Sequence, residues 1–253
     1  MSLPSLSRRE RVALGAQRGV SFLLAPLWAA VVSLAVRRAR FRFEGLAEMR
    51  AAYARLRAEP GPVLVCANHM TLVDSFLVAF ALGNPAWFLL HFASVPWNVP
   101  EATVFASTPW MRAATWSLKC VTILRGRRDA VAATLSRVAH LLGRGEAVLV
   151  FPEGGRSRVG RVDVDARTWA VGRLLRSVPA CRVLCVHLRG EGQTGVTDFP
   201  RRGERFHVAF STIEPKSERR GLRACVELSG QVLSELARLE GREGGPWAGP
   251  VPA

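Results

Sequence analysis

Short apolar runs alternate with amphipathic stretches along most of this chain. The runs are rich in β-branched and aromatic residues and are bounded by Gly, Pro or Asn, a pattern typical of buried strands. They cover residues 40–45, 62–67, 86–93, 119–124, 147–152, 182–188 and 205–213. Strands that alternate with helices predict an α/β fold, in which a largely parallel sheet is flanked by helices.

Helical patterns fill several of the intervals between these runs. The clearest lies in residues 127–143, where an apolar stripe recurs at a spacing of three or four residues. Two more helices are predicted over residues 167–178 and 219–239. Residues 94–118 contain three tryptophans and show no clean period. This segment is predicted to be a lid, a pocket wall or an interfacial patch, or else an irregular connection with tryptophans in the core.

An uncharged apolar run, residues 20–36, lies near the N-terminus between two clusters of arginine. As a helix it would extend about 26 Å, slightly less than a hydrocarbon core of about 30 Å, and Pro26 would kink it. We predict that it is embedded in a membrane, as a single span or as a kinked helix lying partly in one leaflet. A buried core helix and a signal sequence are the alternatives.

The chain divides into three predicted parts. Residues 1–39 form an N-terminal membrane-associated helical segment, and residues 40–240 form one α/β domain of ordinary size. Residues 241–253 are rich in Gly and Pro and are predicted to form a flexible tail.

The chain is strongly basic, with a formal net charge of +15, and its basic residues are almost all arginine. Such a charge favours an anionic partner: nucleic acid, a phospholipid surface or a phosphorylated substrate. The planar fork of arginine matches phosphate. The arginines are scattered and follow no known nucleic-acid-binding module, so we expect no nucleic-acid partner.

The five cysteines are odd in number, and most lie within apolar runs. This predicts reduced, buried thiols in a cytosolic setting. Cys181, Cys185 and His187 could suggest a metal site, but on a strand residues two apart are separated by about 6.6 Å, which is too far to close on a zinc ion. We therefore predict no metal.

Three polar clusters each follow a predicted strand. They are NHMTLVDS at residues 68–75, RGRR at residues 125–128 and EGGRSR at residues 153–158. Because ligands bind at the carboxyl ends of parallel strands, the three clusters are expected to converge on one crevice. There the first would supply a base with an orienting carboxylate, and the others would supply arginine forks and backbone amides for a phosphate.

His69 and Asp74 are separated by five residues, which places them about 140° apart on an ideal helix and out of contact. Thr71 and Asp74, however, form a capping-box pattern with Thr71 as N-cap. A helix that starts there leaves His69 outside, where Asp74 could reach its ring. The same box would also explain Asp74 by a purely structural role.

In this combination and order the three clusters resemble the signature of the glycerolipid acyltransferase superfamily, whose best-known branch is lysophosphatidic acid acyltransferase (1-acylglycerol-3-phosphate acyltransferase). The resemblance covers roughly residues 40–215 and implies an αβ acyltransferase sheet with an N-terminal membrane-binding helical element. It implies that His69 is the general base and that Asp74 orients it. It also implies that the phosphorylated acceptor is bound by Arg125, Glu153, Gly154, Gly155 and Arg156.

The sequence departs from the family pattern in three places. The second motif reads Thr122-Ile-Leu-Arg125 and lacks the usual acidic residue, and Cys185 lies near the place of a proline in the fourth motif. Gly155 replaces the threonine usual in the lysophosphatidate branch, which brings the third motif closer to the glycerol-3-phosphate acyltransferase branch. The identity of the acceptor therefore does not follow from the resemblance.

The resemblance implies transfer of a fatty acyl group from acyl-CoA or acyl-carrier protein to a lysophospholipid hydroxyl, with 1-acylglycerol-3-phosphate as the first candidate and phosphatidate as product. We expect no cofactor, no covalent intermediate, and an oxyanion held by backbone amides near Gly154 or at Thr71. Membrane phospholipids are expected partners, with the active site facing the cytoplasm. Glycerol 3-phosphate or lyso-ornithine lipid as acceptor, or a non-catalytic lipid-binding homologue, are the alternatives.

Overall fold

A six-stranded sheet forms the centre of the protein, for which a computed structural model describes residues 3–157, 160–166 and 169–242. Its strands are β1 (Arg42–Glu44), β2 (Val63–Ala67), β3 (Trp97–Asn98), β4 (Val148–Val150), β5 (Arg182–Gly190) and β6 (Arg205–Ile213). Their order across the sheet is β1-β6-β5-β2-β4-β3. All neighbours are parallel except β5 and β6, which are antiparallel. The predicted α/β fold with a largely parallel sheet is confirmed.

The helices are α1 (Arg8–Ala39), α2 (Leu46–Ala58), α3 (Asp74–Leu82), α4 (Pro85–Leu90), α5 (Ala102–Phe105), α6 (Pro109–Ser117), α7 (Arg128–Gly143), α8 (Ala170–Ser177) and α9 (Gly221–Arg242), with a 3-10 turn at Phe92–Ser94. Most of them cover the two faces of the sheet. Because side chains alternate along a strand, Leu64 and Cys66 of β2 face the α7, α8 and α9 layer, whereas Val63, Val65 and Ala67 face α2 and α3. The central strand is thus buried on both faces.

The structure differs from the sequence prediction in two apolar runs. Residues 86–93 form α4 and the 3-10 turn instead of a strand, because Pro85 occupies the first helical turn and the Asn84 side chain accepts a hydrogen bond from the Trp87 amide at 2.8 Å. Residues 119–124 make only the isolated bridges of Cys120 and Ile123 to the β3 region. The sequence prediction also missed α2 and β3.

Other predictions are met with shifted bounds. Helices α7 and α9 lie close to their predicted ranges, whereas segment 94–118, for which no regular element was predicted, contains β3, α5 and α6. The predicted helix at 167–178 is observed as α8, and residues 167 and 168 lie outside the described part of the chain, as do residues 243–253 of the predicted tail. Gly241, assigned to the tail from sequence, belongs to α9.

Helix α1 is far longer than the apolar run that predicted it. It contains 32 residues, starts with a capping box between Ser7 and Glu10, passes through Pro26 without interruption and ends at Arg40 in the left-handed conformation. By length and composition alone it could cross a membrane: its most apolar window has a mean hydropathy of 2.1 and is 11% buried. This is consistent with the predicted membrane association.

A buried ionic cluster joins α1 to the sheet. The Glu146 carboxylate accepts hydrogen bonds from Lys119 Nζ at 2.7 Å, Trp97 Nε1 at 2.8 Å and Arg18 Nε at 2.6 Å. Burial lowers the pKa of Lys119 to about 8, although Glu146 opposes this shift. The cluster therefore holds α1, β3 and the start of β4 together through one carboxylate.

Helices α8 and α9 cross at a glycine. A Cβ atom on Gly172 would lie 1.8 Å from the carbonyl oxygen of Cys225, so no larger residue fits without separating the helices. We predict that Gly172→Ala lowers the free energy of unfolding by about 3 kcal/mol, as expected for overpacking. Gly230→Ala on α9 is the matched control, because a Cβ there meets nothing within 4 Å and alanine favours a helix by about 1 kcal/mol.

Urea denaturation of the two variants measures this difference. Similar midpoints for Gly172→Ala and Gly230→Ala would contradict the tight crossing.

Candidate active site

His69 and Asp74 are in contact just beyond the carboxyl end of β2. The chain leaves the strand at Asn68, turns, and enters α3 at Asp74. His69 Nδ1 lies 3.0 Å from Asp74 Oδ2. Their five-residue spacing permits this contact because His69 lies before the helix and not within it. The predicted pairing of the two side chains is thus present in the structure.

The Asp74 carboxylate also holds the turn that carries His69. Its Oδ2 atom accepts hydrogen bonds from the Met70 amide at 2.5 Å and the Thr71 amide at 2.7 Å, and its Oδ1 atom accepts one from the Thr71 hydroxyl. Asp74 is only 4% exposed, so these donors replace the water that its charge would otherwise need. One carboxylate therefore orients both the His69 ring and the backbone of the two residues that follow it.

The predicted capping box forms only in part. Helix α3 begins at Asp74, with Val73 and not Thr71 at the N-cap, and Val73 has φ −104° and ψ 3°. The Asp74 carboxylate accepts the Thr71 amide as the box requires, but the Thr71 hydroxyl is drawn to Asp74 and accepts from the Val73 amide at 3.3 Å. The helix start is delayed because Thr71 serves the carboxylate instead of a helical amide.

The rest of the His69 residue is fixed by the loop after β4. Its ring stacks on the Phe151 ring at a centroid distance of 4.0 Å, and its side chain is 16% exposed. Its backbone oxygen accepts from the Ser157 amide at 2.8 Å, and its backbone amide donates to Glu153 Oε1 at 3.3 Å. Because Nδ1 faces Asp74, Nε2 is the ring nitrogen left to accept a proton.

A cavity of about 410 Å³, named the histidine cavity, lies beside this pair. Four of the residues predicted from the sequence line it: His69, Arg125, Gly155 and Arg156. They come from the ends of β2 and β4 and from the loop before α7. The three polar clusters therefore converge as the sequence predicts, although not every member reaches the cavity.

Both arginines of the histidine cavity are held by carboxylates that sequence reasoning missed. Arg125 Nε lies 2.9 Å from Glu101 Oε2, and Arg156 Nη1 donates to Asp198 Oδ1 at 2.8 Å. Glu101 follows β3 and Asp198 lies in the loop between β5 and β6, so neither is near its arginine in sequence. The carboxylates restrict where the guanidinium groups point, as a preformed anion site requires.

Glu153 lies behind His69 instead of on the wall of the histidine cavity. Its second carboxylate oxygen accepts from the Asp163 amide at 3.2 Å, so Glu153 links the His69 backbone to the loop that follows. Burial raises the pKa of Glu153 to about 7; the two amides oppose this rise, and the charges of Asp163 and Glu240 add to it. In this geometry Glu153 positions the histidine.

Three of the backbone amides considered for an oxyanion are already bonded. Those of Met70 and Thr71 donate to Asp74, and that of Gly154 donates to the Phe151 carbonyl oxygen at 3.1 Å. Gly154 adopts φ +71°, as this tight turn requires. The Thr71 and Gly154 amides themselves are therefore engaged, and an oxyanion held by other amides of these two turns stays a prediction.

An apolar cavity of about 160 Å³ adjoins the histidine cavity. Its wall consists mainly of apolar side chains from α1, α3 and α4. The two cavities share the lining residues Ser75, Phe76, Asn98, Leu118 and Cys120. An apolar chain in one cavity can therefore place its polar end in the other.

The cysteines are not placed for chemistry. All five are free, and four are buried, as the sequence predicts; Cys120 is partly exposed. Burial raises the pKa of the Cys120, Cys181 and Cys185 thiols to about 12, which suppresses the thiolate. Within residues 3–157, 160–166 and 169–242, no group of three or more His, Cys, Asp or Glu side chains could hold a metal ion.

Comparison with known families gives the class of protein that this site defines. A family model described as Acyltransferase matches residues 40–189, which is more than half of the chain. The chain therefore belongs to the glycerolipid acyltransferase family and is an acyltransferase. The matched region contains the His69 and Asp74 pair, both cavity arginines and Glu153. A comparison with curated proteins finds no match.

The raised pKa of Glu153 predicts a pH-dependent stability. A glutamate in the unfolded chain has a pKa of about 4.3. In the folded protein the pKa of Glu153 is raised to about 7. The folded state binds the extra proton between these values, so its stability falls as pH rises through this window. Glu153→Gln should remove this contribution and flatten the slope.

The measurement is the difference in free energy of unfolding between the natural protein and Glu153→Gln, from pH 4.5 to about pH 7.5. Glu218→Gln is the control, because Glu218 is exposed. A difference that does not change with pH would show that Glu153 titrates normally.

Proposed function

We propose that the protein transfers a fatty acyl group from acyl-CoA or acyl-carrier protein to the hydroxyl of a lysophospholipid, with 1-acylglycerol-3-phosphate as the first candidate. The observation that carries this proposal is the position of His69. It lies paired with Asp74 in a cavity that has two arginines and continues into an apolar cavity. An acyl thioester and a phosphorylated alcohol need these three environments together.

His69 is assigned the role of general base. Nε2 removes the proton of the acceptor hydroxyl as the oxygen attacks the thioester carbonyl, and Asp74 stabilises the resulting imidazolium. The tetrahedral intermediate then expels the thiolate, to which the imidazolium returns the proton. General-base assistance of this kind is worth about 10² to 10⁴ in rate. The raised pKa values of the buried thiols favour direct transfer without an acyl-cysteine.

Arg125 and Arg156 are assigned to the phosphate of the acceptor. Each has one side of its fork on a carboxylate, and Arg125 remains half exposed toward the histidine cavity. A phosphate between the two arginines would gain charge-assisted hydrogen bonds and would be kept close to His69. A Cβ atom added at Gly155 would lie 3.7 Å from Arg125 Nη1. The absence of a side chain there leaves room for the headgroup beside this arginine.

Glycerol 3-phosphate is the second candidate acceptor, because the same arginines suit its phosphate and the third motif contains Gly155. A lyso-ornithine lipid lacks a phosphate and would leave both arginines without their assigned partner. Turnover of these three acceptors, each with acyl-CoA and acyl-carrier protein as donor, distinguishes the candidates. We assign the active site to the cytoplasmic side of the membrane, where the free thiols remain reduced.

The roles of His69 and Asp74 predict different effects of substitution. His69→Ala should lower kcat by about 10² to 10⁴ and should lower the melting temperature less than Asp74→Asn does, because three of the four donors to Asp74 remain. Asp74→Asn should lower both, because an amide cannot accept all four hydrogen bonds that Asp74 accepts. Labelled acyl transfer and thermal denaturation give the two readouts.

His207→Ala is the matched control, since His207 lies on β6 and contacts Glu44 and Glu191 away from the histidine cavity. Undiminished transfer by His69→Ala would overturn the assignment of the base.

The apolar cavity predicts the choice of acyl chain. Ala79 lines it from α3, so Ala79→Phe should fill part of its volume and shift the preferred donor to shorter chains. If a few methylenes of a long acyl chain can no longer be buried, each contributing about 0.8 kcal/mol, kcat/KM for long-chain donors should fall at least about tenfold. Competition between donors of different length measures the shift, and Ala51→Phe, on the exposed side of α2, is the control. An unchanged profile would exclude this cavity as the acyl site.

A further inference from the structure

The N-terminal half of α1 is fastened to the catalytic domain. Leu14 is buried in the same core cluster as the α7, α8 and α9 layer. Arg18 binds the buried Glu146 carboxylate at 2.6 Å, and Glu10 lies 3.2 Å from Arg137 of α7. This part of the helix is therefore fixed near the β3 and β4 side of the sheet.

The C-terminal end of α1 is fastened to the same domain at the opposite edge of the sheet. The Gly203 amide donates to the Ala39 carbonyl oxygen at 2.7 Å. The Phe41 ring packs edge-on against the Phe206 ring of β6 at a centroid distance of 5.4 Å. The Arg42 amide donates to the backbone carbonyl oxygen of Glu204 at 3.0 Å. Both ends of α1 are thus held by one polar domain.

This attachment is incompatible with a helix that crosses the bilayer. A transmembrane orientation would place the two ends of this helix, about 48 Å apart, on opposite sides of the membrane. The domain groups that hold them, including Glu146 and Glu204, would then have to enter the hydrocarbon or release the helix. Burying such groups without their partners is strongly unfavourable.

The two faces of α1 have different surroundings. One face lines the apolar cavity and touches α4 and α6, with Trp28 Nε1 donating to Ser117 at 3.1 Å. The other face is an exposed apolar stripe, named the outer stripe, with exposures from 37% to 75%. It consists of Val20, Leu23, Leu27, Val31 and Leu34, which recur at intervals of three or four residues.

Further exposed apolar side chains lie on the helices that pack against α1. Leu90 of α4 is 83% exposed, and Trp110 and Trp116 of α6 are 70% and 40% exposed. Tryptophan is favoured at the boundary between lipid headgroups and acyl chains. Exposed apolar side chains in this number are rare on a soluble surface and mark a membrane or protein contact.

A basic cluster lies at each end of α1. At the N-terminal end, Arg11 lines an open cavity with Arg173 and Arg176. At the C-terminal end, Arg37, Arg38, Arg40 and Arg202 surround a second open cavity. Arginine suits the phosphates of lipid headgroups, and clusters of this charge are attracted to anionic membranes.

We propose that α1 lies in the plane of a single leaflet of an anionic phospholipid bilayer. The outer stripe enters the acyl region of that leaflet, and the arginine clusters at both ends bind headgroup phosphates on the same side. A helix with an apolar face and basic flanks lies at the interface in this way. The proposal does not depend on the acyl-transfer proposal, because membrane binding and orientation are measured without turnover.

Vesicle flotation tests the outer stripe. The full chain is mixed with vesicles of phosphatidylglycerol and phosphatidylcholine, and Leu23→Glu with Leu27→Glu should lower the bound fraction by tenfold or more, roughly. Both positions are exposed, so circular dichroism should show an unchanged fold. Val164→Glu is the control, because Val164 is 50% exposed, lies outside α1 and lines neither basic cavity. Equal binding by both variants would overturn the role of the stripe.

The same assay tests the arginine clusters. Arg37→Gln with Arg38→Gln should weaken binding to anionic vesicles by tenfold or more, roughly, and added salt should weaken binding of the natural chain. Arg55→Gln with Arg238→Gln, at two exposed arginines of α2 and α9 that line neither basic cavity, is the control. If both pairs lower binding equally, net charge and not the cluster is responsible, and the headgroup assignment fails.

Labelling from one side of the membrane tests the orientation. Cysteines introduced by Ser5→Cys and Ala47→Cys lie at exposed positions before and after α1, and Glu218→Cys marks the catalytic domain. In sealed proteoliposomes, a membrane-impermeant thiol reagent should label all three to the same extent, above the background of the natural chain. Labelling of one end of α1 with protection of the other would show a transmembrane helix and overturn the proposal.

Discussion

The Asp74 carboxylate is the interaction on which the candidate active site depends. It sits at the first residue of α3, at the point where the chain leaves the central strand β2, and it accepts bonds from the His69 ring and from the two residues that follow it. These bonds fix the turn and the ring together. A carboxylate buried to this extent is stable because these donors replace water, so the geometry of the turn and the charge of the pair support each other.

The sequence predicted the elements that depend on local pattern. The strands β2, β4, β5 and β6 follow from short apolar runs, and the convergence of three polar clusters follows from their places at strand ends. The prediction of a strand at 86–93 was wrong, because Asn84 and Pro85 start a helix there. This helix has only 6 residues, too few for a helical period to be visible in the sequence. An apolar run of this length is compatible with either a strand or a short helix, and the Asn84 cap selects the helix.

Contacts between distant parts of the chain were not predictable from pattern. Glu101 and Asp198 meet Arg125 and Arg156 only because loops from different strands come together at one edge of the sheet. Glu153 belongs to the third family motif, yet the side of the turn that it faces depends on the Asp163 amide. The attachment of α1 is of the same kind, since Glu146 and Gly203 are far from it in sequence.

Helix α1 carries the outer stripe and is at the same time a wall of the apolar cavity. A foreign anchor attached in its place would restore adhesion to a bilayer but would leave the cavity open along one side. In the proposed orientation, the inner positions of α1 are constrained by the shape of the apolar cavity, whereas the outer positions are constrained only by the thickness and composition of the lipid. Exchange of outer residues between organisms with different membranes is tolerated in such an arrangement, and the two faces of one helix can change independently.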